Sequence, residues 1–184
     1  MDKGRIVVIS GPSGAGKGTV IKKLMEVDPD IVFSVSATTR PARAGEKEGV
    51  AYFFVSHERF REMIAGDELL EYAEYVGEFY GTPKAPVYES VSNGKNILLD
   101  IEVKGARQIM LKAPEAVTIF LVPPDLQELE RRLRGRRTDS EDKMIARLNR
   151  ARAELEEKVH YSHVVVNDVV NRAAEEILDI INNC

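Results

Sequence analysis

The chain has 184 residues, 43% hydrophobic and 30% charged, with 13 glycines and 8 prolines. That is enough apolar material for one sizeable core, and it excludes a large multidomain assembly, long disorder and collagen-like repeats. Its 26 basic and 30 acidic residues give a formal charge of -4, so no nucleic-acid or membrane partner is expected and any anion site must be local.

In chain order, Ile6-Val7-Val8-Ile9 follows the amino terminus at once. It is too short for a signal peptide or a membrane span, so an unprocessed chain is expected. Its β-branched run, closed by Ser10-Gly11-Pro12, predicts a buried strand ending in a tight loop. Val20, Leu24 and Val27 then recur at helical spacing, which predicts a helix over Thr19 to Val27, ended by Asp28-Pro29-Asp30. The runs 96–101, 117–122 and 164–166 predict further central strands, with helical patterns near Val103 to Leu111 and Asp125 to Leu133 between them. Strands alternating with helices predict an α/β fold with a parallel sheet flanked by helices. Ala173, Ile177 and Ile181 give a closing helix one apolar face, with Asn167 or Asp168 as its cap.

Two regions break the alternation. Residues 34–83 mix strand-like pieces (Ala51 to Val55, Glu71 to Tyr75) with a helix near Glu58 to Ala65 and many turn residues, and are expected to be an insertion. Residues 125–158 are expected to be a helical pair, since Met144, Leu148, Ala151, Leu155 and Val159 recur at helical spacing. The core is then 1–33, 84–124 and 159–184. Cys184 is the one cysteine. An intrachain disulfide and a cysteine metal cage are therefore excluded, which suits a reducing, cytoplasmic setting. His57, His160 and His163 lack the spacing of a zinc site.

The chemistry concentrates in three places. Gly11-Pro12-Ser13-Gly14-Ala15-Gly16-Lys17 fits the G-x-x-x-x-G-K phosphate loop, between a buried strand and a helix as that loop requires. Glycines let backbone N–H groups converge on phosphate oxygens, the helix start adds partial positive charge, and Lys17 adds a full one. Gly18 stands where a Ser or Thr usually reaches Mg²⁺. Either Thr19, one residue later, substitutes, or phosphates and water hold the metal, which Mg²⁺ tolerates. Asp100, ending its strand, is the natural carboxylate for that metal, direct or through water; its bland alternative is a helix cap.

Second, Arg131, Arg132, Arg134, Arg136 and Arg137 put five arginines within seven residues of an acidic chain, with Arg147 on the next helix. Guanidinium groups drawn onto a transferring phosphoryl group stabilise its charge, so at least two of these are expected to act there and the rest to be solvated. Third, the first insertion holds Ser36, Arg40, Arg43, Tyr52, Glu71, Tyr80 and Thr82, which spacing alone does not join.

The stretches 9–17, 33–43, Tyr80-Gly81-Thr82, 97–102 and Val166-Asn167-Asp168 together resemble the guanylate kinase family over essentially the whole chain. The resemblance implies transfer of a phosphoryl group from ATP to GMP, with dGMP alongside, in purine nucleotide recycling. It also implies a nucleotide core, a GMP-binding insertion and a lid. Gly11 to Thr19 would hold ATP, with Asn167 on adenine. Arg40, Arg43, Tyr52 and Tyr80 would hold the GMP phosphate, through arginine forks and phenol donors. Glu71 would accept from guanine N1–H and its amino group while Ser36 and Thr82 donate to O6. Adenine would leave those partners unpaired. Asp100 and Glu102 match acidic positions near the metal and the base, and Lys17, Arg132, Arg136 and Arg147 the catalytic cations. Arg137 and Glu102 depart from the residues many relatives carry, a glycine and an aspartate. Two alternatives stand beside this: a kinase for another nucleoside monophosphate, and a catalytically silent binding module on the same fold. The silent module usually loses the loop lysine or the lid arginines, and both are present. No oligomeric state follows from the sequence.

Overall fold

The structure, a computed structural model, describes residues 4–135 and 141–184. Its elements run β1 (Ile6–Ser10), α1 (Lys17–Val27), β2 (Ile31–Phe33), β3 (Ala37–Thr38), β4 (Phe53–Phe54), α2 (His57–Ala65), β5 (Leu69–Tyr75), β6 (Glu78–Pro83), α3 (Lys84–Ser92), β7 (Asn96–Asp100), α4 (Val103–Lys112), β8 (Val117–Val122), α5 (Leu126–Arg134), α6 (Glu141–Glu156), a 3₁₀ turn (Glu157–His160), β9 (His163–Val166) and α7 (Val170–Asn183).

Strands β2, β7, β1, β8 and β9, in that order, form one sheet with parallel pairings throughout. Its central strands read as unbroken apolar runs because both faces are covered. Val7 and Ile9 of β1 pack with Leu98, Ile119 and Leu121 against α1 and α7. Ile6 and Val8 turn the other way, onto α3, α4 and Tyr161. The fold is therefore α/β with helices on both faces of a parallel sheet, as the alternating pattern predicts. Ala173, Ile177 and Ile181 of α7 are fully buried against it.

A second sheet, in the order β4-β3-β6-β5, has its own small core of Ala37, Phe60, Met63 and Leu69, with Phe79 stacked on Phe60 at 5.3 Å. Helices α5 and α6 pack on each other through Leu129, Leu133, Met144 and Ala151.

Several local expectations need correction. Helix α1 starts at Lys17 rather than Thr19, so the loop lysine is already in its first turn. Only Phe53 and Phe54 of the expected 51–55 strand pair in the sheet, since a turn occupies the residues before them and Val50 is 70% exposed. Strand β6 and helix α3 were not anticipated: α3 buries only Val87 and Val91, too few apolar positions to announce a period. Val159 falls in the 3₁₀ turn beyond α6 and is exposed, so it does not continue the helical stripe. The cap of α7 is Val169, without a side-chain bond, because Asn167 is engaged elsewhere and the Asp168 carboxylate accepts from Arg172 at 2.8 Å.

Candidate active site

The loop between β1 and α1 owes its shape to two glycines. Gly11 (φ +149°) and Gly16 (φ +88°) adopt backbone conformations that side chains disfavour. A Cβ at either would also strike its neighbour, the Leu121 carbonyl or the Asn167 amide. The Thr19 N–H is taken by the Gly16 carbonyl at 3.1 Å, while those of Lys17 and Gly18 come before the first acceptor the helix can offer. The Lys17 Nζ folds back over the loop and donates to the Gly11 carbonyl at 2.9 Å.

This loop forms one wall of a cleft of about 780 Å³. Gly11, Pro12, Ser13, Gly14, Gly16, Lys17, Gly18 and Thr19 line it, and Asp100, Glu102, Tyr75, Arg147, Arg150 and Glu154 face them. Ala15 is buried beneath. Asp100 meets solvent at the mouth but is otherwise enclosed by protein. That desolvation raises its pKa above the ordinary carboxylate value, while Lys17 opposes the rise. Asp100 does not cap α4, which starts from Glu102.

The arginines separate by role. Arg147 Nη2 donates to the Ser13 hydroxyl at 3.0 Å. Arg132 donates to the Ala15 and Asn167 carbonyls at 3.3 and 2.9 Å and pairs with Glu128 at 2.7 Å. Both therefore touch the loop. Arg131 is held by Glu128 and Arg134 by Glu130 and Glu141, on the outer face. Arg136 and Arg137 lie outside the described residues. Asn167 is 2% exposed; its Nδ2 donates to the Ala15 carbonyl at 2.8 Å, while its Oδ1 is buried without a hydrogen-bond partner. Through that bond it braces the loop.

In the smaller sheet the Arg40 guanidinium lies 5.4 Å from the Tyr52 ring centroid, and the Tyr52 and Tyr80 rings meet edge-on at 6.1 Å. Glu46, not anticipated, grips Arg40 at 2.9 and 3.0 Å and accepts from the Arg43 N–H at 2.8 Å. A carboxylate thus shows that the Arg40 fork takes a two-oxygen anion. The Arg43 side chain is exposed nearby. Glu71 is 6% exposed and accepts the Thr82 hydroxyl proton at 2.7 Å. Burial raises its pKa; Thr82 and Lys112 oppose that, and Glu102 adds to it. Thr82 thus acts on Glu71 in this arrangement. Ser36 is half-buried beside β3, with its carbonyl accepting from Phe53.

Arg150, Tyr75 and Glu154 of the cleft, and Glu46 at the fork, were missed. For Arg150 and Glu154 the signal existed: they stand three and seven residues after Arg147, on one face of a helix. Among the described residues, no group of three or more His, Cys, Asp or Glu could cage a metal ion, and no helix is long and apolar enough to cross a membrane.

A family model described as guanylate kinase matches residues 3–184. The chain is 50% identical to a guanylate kinase of Synechococcus sp. (strain JA-3-3Ab), over 95% of this chain and 81% of that one. It is 49% identical to one of Trichodesmium erythraeum, over 96% and 95%. The crystal structure of guanylate kinase from Anaplasma phagocytophilum superposes with a TM-score of 0.78 at 38% identity, covering 99% of this chain and 86% of that one.

Proposed function

The chain belongs to the guanylate kinase family, and from that premise we propose how its residues move the γ-phosphoryl group of ATP to GMP, giving ADP and GDP. Residues 1–33, 84–124 and 159–184 act as the nucleotide core, 34–83 as the GMP-binding insertion and 125–158 as the lid. The loop Gly11 to Thr19 cradles the ATP phosphates by backbone N–H groups and the α1 amino terminus, and Lys17 leaves the Gly11 carbonyl for a phosphate oxygen. Arg40, Arg43, Tyr52 and Tyr80 take the GMP phosphate. Glu71, aligned by Thr82, accepts from guanine, with Ser36 and Glu102 beside it.

No protein nucleophile is needed. An anionic oxygen of the GMP phosphate forms the new bond to the γ-phosphorus as the bond to the β-phosphate oxygen breaks and its electron pair stays with ADP. Arg132 and Arg147, already on the loop, need only short movements to meet the charge spread over the transferring group. Mg²⁺ bound with ATP would supply positive charge that neutralises part of the phosphate charge. Asp100 and Thr19 would hold it, directly or through water. One carboxylate and one hydroxyl at the cleft suit an ion that keeps most of its water and phosphate ligands. Closure of insertion and lid excludes water from the transfer. A cytoplasmic role in purine nucleotide recycling fits a chain with one cysteine.

The observation that carries this reading is the single cleft whose walls are the glycine loop, Asp100, Glu102 and Arg147. The test is ADP release from MgATP with GMP, dGMP, AMP, UMP or CMP. Turnover with GMP, and with dGMP alongside, is expected; equal turnover with AMP would refute the assignment of Glu71 as base reader.

A further inference from the structure

We propose that Arg150 is a positioning residue for the phosphoryl acceptor: by pairing with Glu102 across the cleft mouth it holds that carboxylate beside Glu71 and couples helix α6 to the base pocket. The proposal rests on the functional reading above and adds a residue that neither the motifs nor the resemblance supplies.

Helix α6 meets the two sides of the cleft through polar contacts made from one face, apart from the Arg134–Glu141 pair that ties its start to α5. Arg147 meets Ser13 of the glycine loop at 3.0 Å, on the donor side. One turn later Arg150 Nη2 meets Glu102 Oε2, also at 3.0 Å, on the acceptor side. The Arg150 side chain is itself aimed by Glu154, one turn further on, whose Oε1 accepts from Nε at 2.8 Å. Arg147, Arg150 and Glu154 all ride on α6, so a shift of that helix moves both contacts together. Tyr75, where β5 runs into its hairpin, lines the same cleft.

Glu102 is the residue from which α4 starts. One turn on is Gly105, whose lack of a side chain leaves room for the Glu71 carboxylate. Two carboxylates thus stand near one another, and the charge of Glu102 adds to the burial that raises the Glu71 pKa. Protonation would turn an acceptor needed for guanine N1–H and its amino group into a donor. The groups bearing on Glu71 are Thr82 from β6, Lys112 from the end of α4 and Glu102 from its start. Burial raises its pKa most, Thr82 and Lys112 lower it, and Glu102 raises it further. Arg150 is the cation that offsets Glu102. Its removal leaves that charge uncompensated and raises the Glu71 pKa further.

The pair is exposed, with side-chain accessibilities of 51% and 67%, so the effect is modest and sensitive to salt. Steady-state kinetics of the full chain would compare the wild type with Arg150→Ala, Arg150→Lys and Arg152→Ala, the last removing an exposed charge from the same helix. For Arg150→Ala the expected result is a GMP KM raised about three- to fivefold. The ATP KM is unchanged, the acid limb of kcat/KM for GMP moves to higher pH, and Arg150→Lys recovers part of the loss. High salt should bring the wild type to the Arg150→Ala value. A GMP KM that is unchanged or lower in Arg150→Ala overturns the proposal, as does an equal rise in Arg152→Ala or a matching rise in the ATP KM. A wild-type chain inert toward GMP would sink the functional reading, and this proposal with it, before any variant is compared.

Discussion

Gly105→Ala tests the base pocket without replacing any charged residue. A Cβ at Gly105 would lie 2.5 Å from Glu71 Oε2 and 3.0 Å from Cδ, whereas ordinary contact begins near 3.4 Å. The carboxylate must therefore retreat by about 0.9 Å, the difference between 3.4 and 2.5 Å. Glu71 is buried and bonded to Thr82 at 2.7 Å, so it cannot swing into solvent; it must bend that bond or move with it. Weakening a buried hydrogen bond to a charged group costs about 1.5–3 kcal/mol, and a misplacement near 1 Å can cost about 10²-fold in rate. The expected outcome is a kcat/KM for GMP lowered about 10- to 100-fold, with the ATP KM unchanged. Overpacking costs about 1–3 kcal/mol, while alanine returns about 1 kcal/mol of helix propensity. The net is about 0–2 kcal/mol, so the melting temperature should fall by no more than about 8 °C. Coupled ADP-release kinetics and a thermal melt read both. An unaltered GMP KM in a normally melting variant would refute Glu71 as the base reader, because the side chain could not have stayed where it is.

Lys17→Ala should lower kcat by about 10²–10³ while calorimetric binding of GMP persists; full turnover in that variant would remove the lysine from the transferring group. Tyr161, buried against Phe120, has its phenol pKa pushed up to about 12, so absorbance titration should show one tyrosine ionising well above the ordinary value near 10. Its contribution to stability is complete below pH 10 and declines between pH 10 and 12, and Tyr161→Phe should flatten that decline. Glu128 is held at a pKa of about 2 by Arg131 and Arg132. Its contribution is complete above pH 4.5 and lost as the pH falls toward 2. The melting difference between wild type and Glu128→Gln should therefore shrink steadily over that window, and a difference as large at pH 2 as at pH 5 would contradict the pairing.

The sequence was most legible where a local rule governs. Ile6 to Ile9 followed by glycines and a helical period can be read as strand, loop and helix, because the backbone conformations involved are set within a few residues. The two-sided burial of the central strands followed in the same way from their unbroken apolar runs. Strand β6 and helix α3 were illegible for the converse reason: Glu78 to Pro83 contains a glycine and a proline, and α3 has only two buried apolar positions. Each is held by its partners rather than by its own pattern.

Site residues divide along the same line. Lys17 in its glycine loop and the arginine cluster are visible as residue types at short spacing, which is enough to expect anion binding. Which arginines serve it is a tertiary matter. Arg132 and Arg147 reach loop residues 117 and 134 positions away, while Arg131 and Arg134 stay with acids on their own outer face. Asn167 is drawn beneath the loop by Ala15, 152 residues distant, and Arg150 meets Glu102 across 48. Sequence alone determined the α/β fold and the glycine loop that joins β1 to α1, since periodicity and glycine conformation act within a few residues. Only tertiary structure decided which charges meet across the cleft and which polar groups are buried, because those contacts depend on how distant segments pack.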